Sequence, residues 1–279
     1  MRYFIHLAYD GTGYCGWQVQ NNGDTVQGKL NSALSRLLST TISTGGCGRT
    51  DSGVHATDFY AHFETGKEID DRFAFRLNSI LPQDITIFRV FPVEPRANTR
   101  FDAVSRTYEY YLHFEKNPFL RHYSTQVHAR DLNWDKIYEA TTMIPGFGDY
   151  TSLCRPSEDF KTNLCDVTEA RWDKVIRPAG AGERQYEFMR LTITSNRFLR
   201  GMIRKIVGVL ILIGRGKLPV EDFKRIVEAK VEFPFGVSSP PQGLYLTKVR
   251  YKEGILEGRT IDRTYTPRIE PEEETDDEE

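Results

Sequence analysis

Arg2–Gly11 reads RYFIHLAYDG, and Thr25–Ser39 reads TVQGKLNSALSRLLS. The first is rich in aromatic and β-branched residues and stops at an Asp-Gly turn, which is the grammar of a strand opening a sheet. The second places Val26, Leu30, Ala33, Leu34, Leu37 and Leu38 on one helical stripe, with Asp24 or Thr25 available as N-cap. Strand followed by amphipathic helix sets the pattern of what comes next. Strand-like segments lie near Thr41–Gly46, Phe59–Glu64 and Ile85–Val93, and a helix near Asp71–Ile80 separates the last two. The order to this point is β-α-β-β-α-β.

The same order returns after Arg100. A strand at Thr107–Phe114 is followed by a helix at Trp134–Met143 and strands near Leu164–Val175 and Tyr186–Thr194. A helix over Phe198 to about Ile213, a shorter one after Pro219 and a strand at Leu244–Tyr251 complete it. This split β-α-β pattern predicts an α+β fold of two similar halves with antiparallel sheets. The expected divisions are residues 1–105, 106–255 and an acidic, disordered tail over 256–279. Two stretches lack periodicity: Pro145–Thr162, read as a contact loop, and Arg177–Arg184, read as a connection.

Composition is ordinary for a globular protein, with 39% hydrophobic and 27% charged residues. No signal-peptide zoning is visible, and the most apolar run, Ile206–Ile213, is far short of the roughly 20 residues that span a bilayer. It reads as a buried helix, and the expected setting is the cytoplasm, with no membrane partner. Cys15, Cys47, Cys154 and Cys165 are too far apart for a C-x-x-C pair and read as small apolar fillers. The six histidines form no ligand pattern, so no metal site is expected. The formal net charge of -2 hides an asymmetry: Ile269–Glu279 holds eight acids and no base, so residues 1–268 carry 37 basic against 31 acidic side chains, or +6. A mildly basic body fits a protein that handles a polyanion without gripping it indiscriminately, and the acidic tail reads as solvated or as a competitor for the phosphates of such a partner.

Gly45–Ala56, GGCGRTDSGVHA, cannot be a regular core element. Three glycines before the Arg-Thr-Asp series and one after it suit a shaped loop presenting a carboxylate into a cleft. On residues alone, Asp51 is either that carboxylate, kept ionised by an arginine, or a turn residue bonding the backbone of Gly53.

GRTDSGVHA (Gly48–Ala56) closely resembles the G-R-T-D-A-G-V-H-A signature of the tRNA pseudouridine synthase A family. Four further stretches resemble that family's motifs in the right order: YDGTGYCGWQ (Tyr9–Gln18), SRTYEYYL (Ser105–Leu112), FLRGMIRKIVG (Phe198–Gly208) and GLYL (Gly243–Leu246). Ser52 and Ile203 depart from the usual Ala and Val, and the acidic tail has no counterpart. The resemblance implies two RRM- or ferredoxin-like halves meeting at a central cleft with helices outside, and isomerisation of uridine to pseudouridine at positions 38, 39 and 40 of the tRNA anticodon stem-loop. It implies no cofactor, and a homodimer with one tRNA spanning both subunits.

Residue by residue, the resemblance implies that Asp51 is the catalytic nucleophile. Tyr108 packs on the target base and removes a proton late in the reaction; Tyr110 and Tyr111 read as sheet residues. Arg200 is carried over as the partner of the catalytic carboxylate, and Arg204 and Lys205 are assigned to positioning RNA. Arg49 fills the space left when the target nucleotide swings out of its stack. Leu246 lines the base pocket or is a plain core leucine. Outside enzymes, the same halves would serve an RNA-binding protein with Asp51 merely structural.

Overall fold

The computed structural model describes residues 1–21, 23–128, 132–156, 162–178, 184–233 and 236–256. Most of the expected contact loop after Gly146 is described, but 157–161 lie outside these residues, as do 179–183 in the expected connection and 257–279 of the acidic tail.

The elements run β1 (Arg2–Tyr9), α1 (Val26–Leu38), β2 (Gly45–Gly46), β3 (His55–Glu64), α2 (Phe73–Ile80), β4 (Ile85–Val93), β5 (Ala103–His113), β6 (Thr125–Gln126), α3 (Trp134–Met143), β7 (Val167–Pro178), β8 (Gln185–Ser195), α4 (Met202–Gly214), α5 (Val220–Glu228) and β9 (Leu244–Tyr251). The α+β reading holds. β1, α1, β4, α3 and β9 form where the pattern puts them, and β6 is an addition too short to leave a pattern.

The α1 stripe buries Val26, Leu30, Ala33, Leu34 and Leu38, and the Thr25 side chain accepts from Gly28 N–H at the N-terminus. Ser39 closes the helix in the left-handed conformation. The strand expected at Thr41–Gly46 shrinks to β2 because α1 takes its donors: Ile42 N–H bonds Ser35 Oγ at 2.9 Å, and Thr44 N–H bonds Asn31 Oδ1 at 3.0 Å. Backbone groups satisfied by side chains have nothing left to offer a ladder.

The strands form one sheet rather than two, in the order β4-β1-β3-β9-β5-β8-β7, with β2 on β3 and β6 on β5. Every neighbouring pair is antiparallel except β3–β9 and β5–β6. The strand after the first helix of each half lies beside the strand that follows it, and the last lies beside the first: β4-β1-β3-β2 and β9-β5-β8-β7. The halves join where His55 and Ala56 of β3 pair with Tyr245 and Leu246 of β9. Asp58 reinforces that short seam, its carboxylate accepting from Val249 N–H at 2.7 Å and lying 2.8 Å from His6 Nε2. β5 begins at Ala103, so the expected boundary at residue 105 falls inside a strand.

α4 is apolar nearly all round and buries Met202, Ile203, Ile206, Val207, Val209, Leu210 and Ile213, as the reading of its apolar run required. It starts four residues later than the pattern suggested, because Gly201 adopts φ +67 at its N-terminus. No helix among the described residues is long and apolar enough to cross a membrane. Cys47, Cys154 and Cys165 are buried free thiols, as filler residues should be, whereas Cys15 is only partly buried.

Candidate active site

The two glycine-rich motifs of the first half interlock. Trp17 N–H bonds the Thr50 carbonyl at 3.2 Å, and the Tyr9 hydroxyl lies 2.9 Å from Thr50 Oγ1. Gly53 N–H and Ser52 Oγ both reach the Tyr14 carbonyl, at 3.3 and 3.1 Å. Glycine is required on both sides of this contact: a Cβ at Gly11 would fall 2.0 Å from the Val54 carbonyl oxygen, and one at Gly16 2.4 Å from that of Thr50. The turn itself closes through Val54 N–H to the Asp51 carbonyl at 3.2 Å, with Gly53 at φ +76. Because Gly53 N–H is engaged by Tyr14, the Asp51 side chain is not spent on its own turn. It is 29% exposed, facing an arginine.

That arginine is Arg204, whose Nη1 lies 3.4 Å from Asp51 Oδ2. The guanidinium is anchored from behind, Nε donating to the Ser239 carbonyl at 2.7 Å, while Ser239 N–H returns a bond to the Arg204 carbonyl at 2.9 Å. A fork with one arm fixed by the backbone aims the other, so the pair orients the carboxylate as well as favouring its charge. Arg200 stands elsewhere. It is exposed, ahead of the left-handed Gly201, and its carbonyl accepts from Arg155 N–H. The arginine carried over from the resemblance is thus not the one that meets Asp51 here; with α4 starting at Met202, the arginine of its first turn, Arg204, faces the carboxylate. The expected grouping of Arg204 with Lys205 as RNA-positioning cations therefore separates, since Lys205 Nζ bonds the Cys154 carbonyl at 3.2 Å.

Tyr108 projects from β5, opposite Leu246 of β9 and Ile193 of β8. Its ring meets Phe198 edge-on, with centroids 5.1 Å apart and planes at 81°. Burial pushes its phenol well above the ordinary range; the Arg106 guanidinium works against this and the Asp51 carboxylate adds to it. The ring is thus a neutral platform next to the carboxylate. Among the described residues no hydrogen bond engages its hydroxyl, whereas Tyr110 is committed to Thr125 Oγ1 and the Pro240 carbonyl, each at 2.7 Å. Tyr111 bonds Glu109. Leu246 is buried between Ala56 and Tyr108, at the seam between the halves. Arg49 is exposed and lines a cavity of about 300 Å³ with Trp17, His62, Arg100 and Phe101. A larger opening of about 530 Å³ between α3 and α5 contains none of these residues.

Two supports were not singled out from sequence. Arg106 holds four carbonyls, those of Ala103, Asn196, Cys47 and Arg100, and so pins the start of the Asp51 loop to β5. His55, in the same GVHA run as the turn, is buried with Nδ1 3.1 Å from Gly11 N and 3.0 Å from Asp10 Oδ1, and with Nε2 2.9 Å from the His122 carbonyl. Burial pushes its pKa down, against the pull of Asp10. Burial also works against ionisation of Asp10, but bonds from Thr12 and Tyr123 outweigh it and hold that carboxyl below its usual range. Both residues stood inside quoted motifs; only the fold shows what they touch. Among the described residues no cluster of His, Cys, Asp and Glu is placed to hold a metal ion.

Residues 140–252 match the family model described as tRNA pseudouridine synthase. The chain is 43% identical to the tRNA pseudouridine synthase A of Bacteroides fragilis, over 92% of this chain and 98% of that one. It is 42% identical to its counterpart from Bacteroides thetaiotaomicron, over 93% and 94% of the two chains. A more distant relative with the same description, from Aquifex aeolicus, is 34% identical over 88% of this chain and 98% of its own.

Proposed function

Because the chain belongs to the tRNA pseudouridine synthase A family, we propose that Asp51 is the nucleophile with which it converts uridine to pseudouridine at positions 38, 39 and 40 of the tRNA anticodon stem-loop. The enzyme is an isomerase acting on tRNA. The observation that carries the assignment of Asp51 is its carboxylate, presented by the interlocked loops and oriented 3.4 Å from Arg204.

The reaction breaks the N1–C1′ bond, turns the base and joins C5 to C1′. N1 gains a proton and C5 loses one, so no oxidant, reductant or water is consumed. Asp51 acts by attacking the ribose or the base, or by assisting a glycal intermediate. Arg204 keeps the carboxylate charged and aimed. Tyr108, whose hydroxyl is uncommitted, lies under the base and takes the C5 proton. Only the phenolate can take that proton, and burial keeps the phenolate scarce; the phenol therefore first gives its own proton to N1 and then removes the one on C5. Arg49 occupies the stack left by the flipped nucleotide, and Leu246 supports the base pocket from beneath Tyr108.

The two parts of the chain, divided near residue 105, act as paired RRM-like halves joined where β3 meets β9. The protein works in the cytoplasm as a homodimer with one tRNA across both subunits. A body near +6 then presents twice that charge to the RNA. Sedimentation at micromolar concentration is expected to give twice the chain mass; a species of single mass, with tRNA bound one per chain, would remove the dimer.

Tritium at uridine C5 tests the chemistry. Wild type is expected to release label from tRNA with single uridines at 38, 39 or 40, and a folded Asp51→Ala to release none. Release by that variant at the wild-type rate would sink the role of Asp51.

A further inference from the structure

The cavity beside the catalytic loop is not accounted for by Asp51, Tyr108 and Arg204. Its volume of about 300 Å³ sits at the small end of ligand pockets, roughly 300 to 1,000 Å³. It is room for one nucleotide, not for a longer segment.

Its backbone wall comes from Gly45, Gly46 and Gly48. The first two are kept small by neighbours in the fold: a Cβ at Gly45 would lie 2.4 Å from the His62 ring, and one at Gly46 2.5 Å from Trp17 Nε1. Gly48 is different. A Cβ there would meet nothing within 4 Å, so packing within the chain does not demand glycine, yet the backbone is left bare toward the opening. On the rim, Phe101 is 75% exposed, with the Arg100 guanidinium 5.7 Å from its ring centre. A lone exposed ring is ordinary on a protein surface; this one stands on the lining of a cavity.

The ring is held in place. Asn98 Oδ1 accepts from the N–H groups of both Arg100 and Phe101, at 2.9 and 3.2 Å. Arg106 Nη2 bonds the carbonyls of Cys47 and Arg100, which ties the Phe101 turn directly to the catalytic loop. An aromatic face, a bare stretch of backbone and two arginines around a one-nucleotide space is the chemistry that takes an unstacked nucleotide.

We propose that this cavity is a second nucleotide site, which receives the nucleotide adjacent to the target uridine, with its base stacked on Phe101 and its phosphate beside Arg100. The proposal rests on the tRNA reading above. Arg49 and Asp51 are two residues apart, at most about 7 Å along the chain, so the occupants of the two sites are neighbours on the strand. One function follows: a nucleotide held here keeps the target from restacking while the base turns at Asp51.

The test is a thermodynamic cycle in tRNA binding. The probes are unmodified tRNA and two tRNAs abasic at the nucleotide 5′ or 3′ of the target; the proteins are wild type, Phe101→Ala and Phe101→Trp. Stacking on one ring corresponds to roughly a tenfold change in Kd. Phe101→Ala is expected to lose that factor on unmodified tRNA, and one of the two abasic tRNAs to lose it on wild type. The two changes together should cost no more than either alone, and Phe101→Trp should retain wild-type binding. Circular dichroism checks the fold, which an exposed position should leave intact. Wild-type binding by Phe101→Ala, or losses that multiply on both abasic tRNAs, would overturn the site. Tritium release by wild type is read separately: its absence with the cycle intact overturns the isomerase reading and leaves the nucleotide site standing.

Discussion

At the scale of the residue, the site turns on which arginine meets Asp51. Arg204 is 15% exposed with its Nε fixed to the Ser239 carbonyl, whereas Arg200 faces outward before α4 begins. Arg204→Ala is therefore expected to lower kcat by about a hundredfold, the scale of losing one preorganised charged donor, and Arg204→Lys to recover little, because an ammonium cannot hold Ser239 and Asp51 at once. Arg200→Ala should leave kcat within about twofold. Single-turnover tritium release separates these outcomes, and equal losses at both positions would show that the ion pair does not orient the carboxylate. The two arginines sit four residues apart in one basic, apolar run, and helix periodicity puts both on similar faces. What distinguishes them is the left-handed Gly201 between them, and a glycine in sequence does not announce the sign of its φ.

At the scale of the element, the seam between β3 and β9 positions everything else. It is two residue pairs long, so side chains must supplement it. Asp58 does so, receiving Val249 N–H on one oxygen and facing His6 on the other. Asp58→Ala leaves a partly buried strand N–H without its acceptor, a loss on the order of 1 to 3 kcal/mol. Urea unfolding should show that drop in stability, with tritium release falling further than stability alone explains, since Tyr108 and Leu246 hang on the same seam. Stability and activity both equal to wild type would deny the seam its role. Edges of this kind were not legible beforehand. Strand periodicity identifies which residues alternate between faces, but hydrogen bonding along an edge depends on backbone groups that are the same in every residue. The strand expected at Thr41–Gly46 failed for a related reason, its donors being claimed by Ser35 and Asn31 of a helix.

At the scale of the whole molecule, burial of histidine sets a pH dependence. His55, His62 and His113 all have pKa values lowered from 6.5, in each case first by burial. A base whose pKa is lower folded than unfolded takes up protons preferentially in the unfolded chain below that unfolded value. Their contribution is thus complete above 6.5 and is lost as pH falls from there through the lower folded values. The urea midpoint is expected to be flat from about pH 7 to 8 and to decline from about pH 6.5 downward. A midpoint that rises on acidification over that range would contradict it. His55 joins this to the site, because protonating Nδ1 removes the bond it accepts from Gly11 N–H, beside the turn of Asp51, even as it draws the ring toward the Asp10 carboxylate.

Taken alone, the amino-acid order determined the alternation of strands and helices, the buried α4, and the motif that presents Asp51, because periodicity and glycine placement are local properties of a chain. It also carried the five ordered resemblances, and relatives at about 40% identity agree with them. Only the tertiary structure decided that the two runs of strands share one sheet, that Arg204 rather than Arg200 faces the carboxylate, and that Asp10, His55 and Arg106 support the loop. Those facts depend on groups brought together from positions as far apart as Asp51 and Arg204, and on the hand of single glycines, which sequence spacing does not encode.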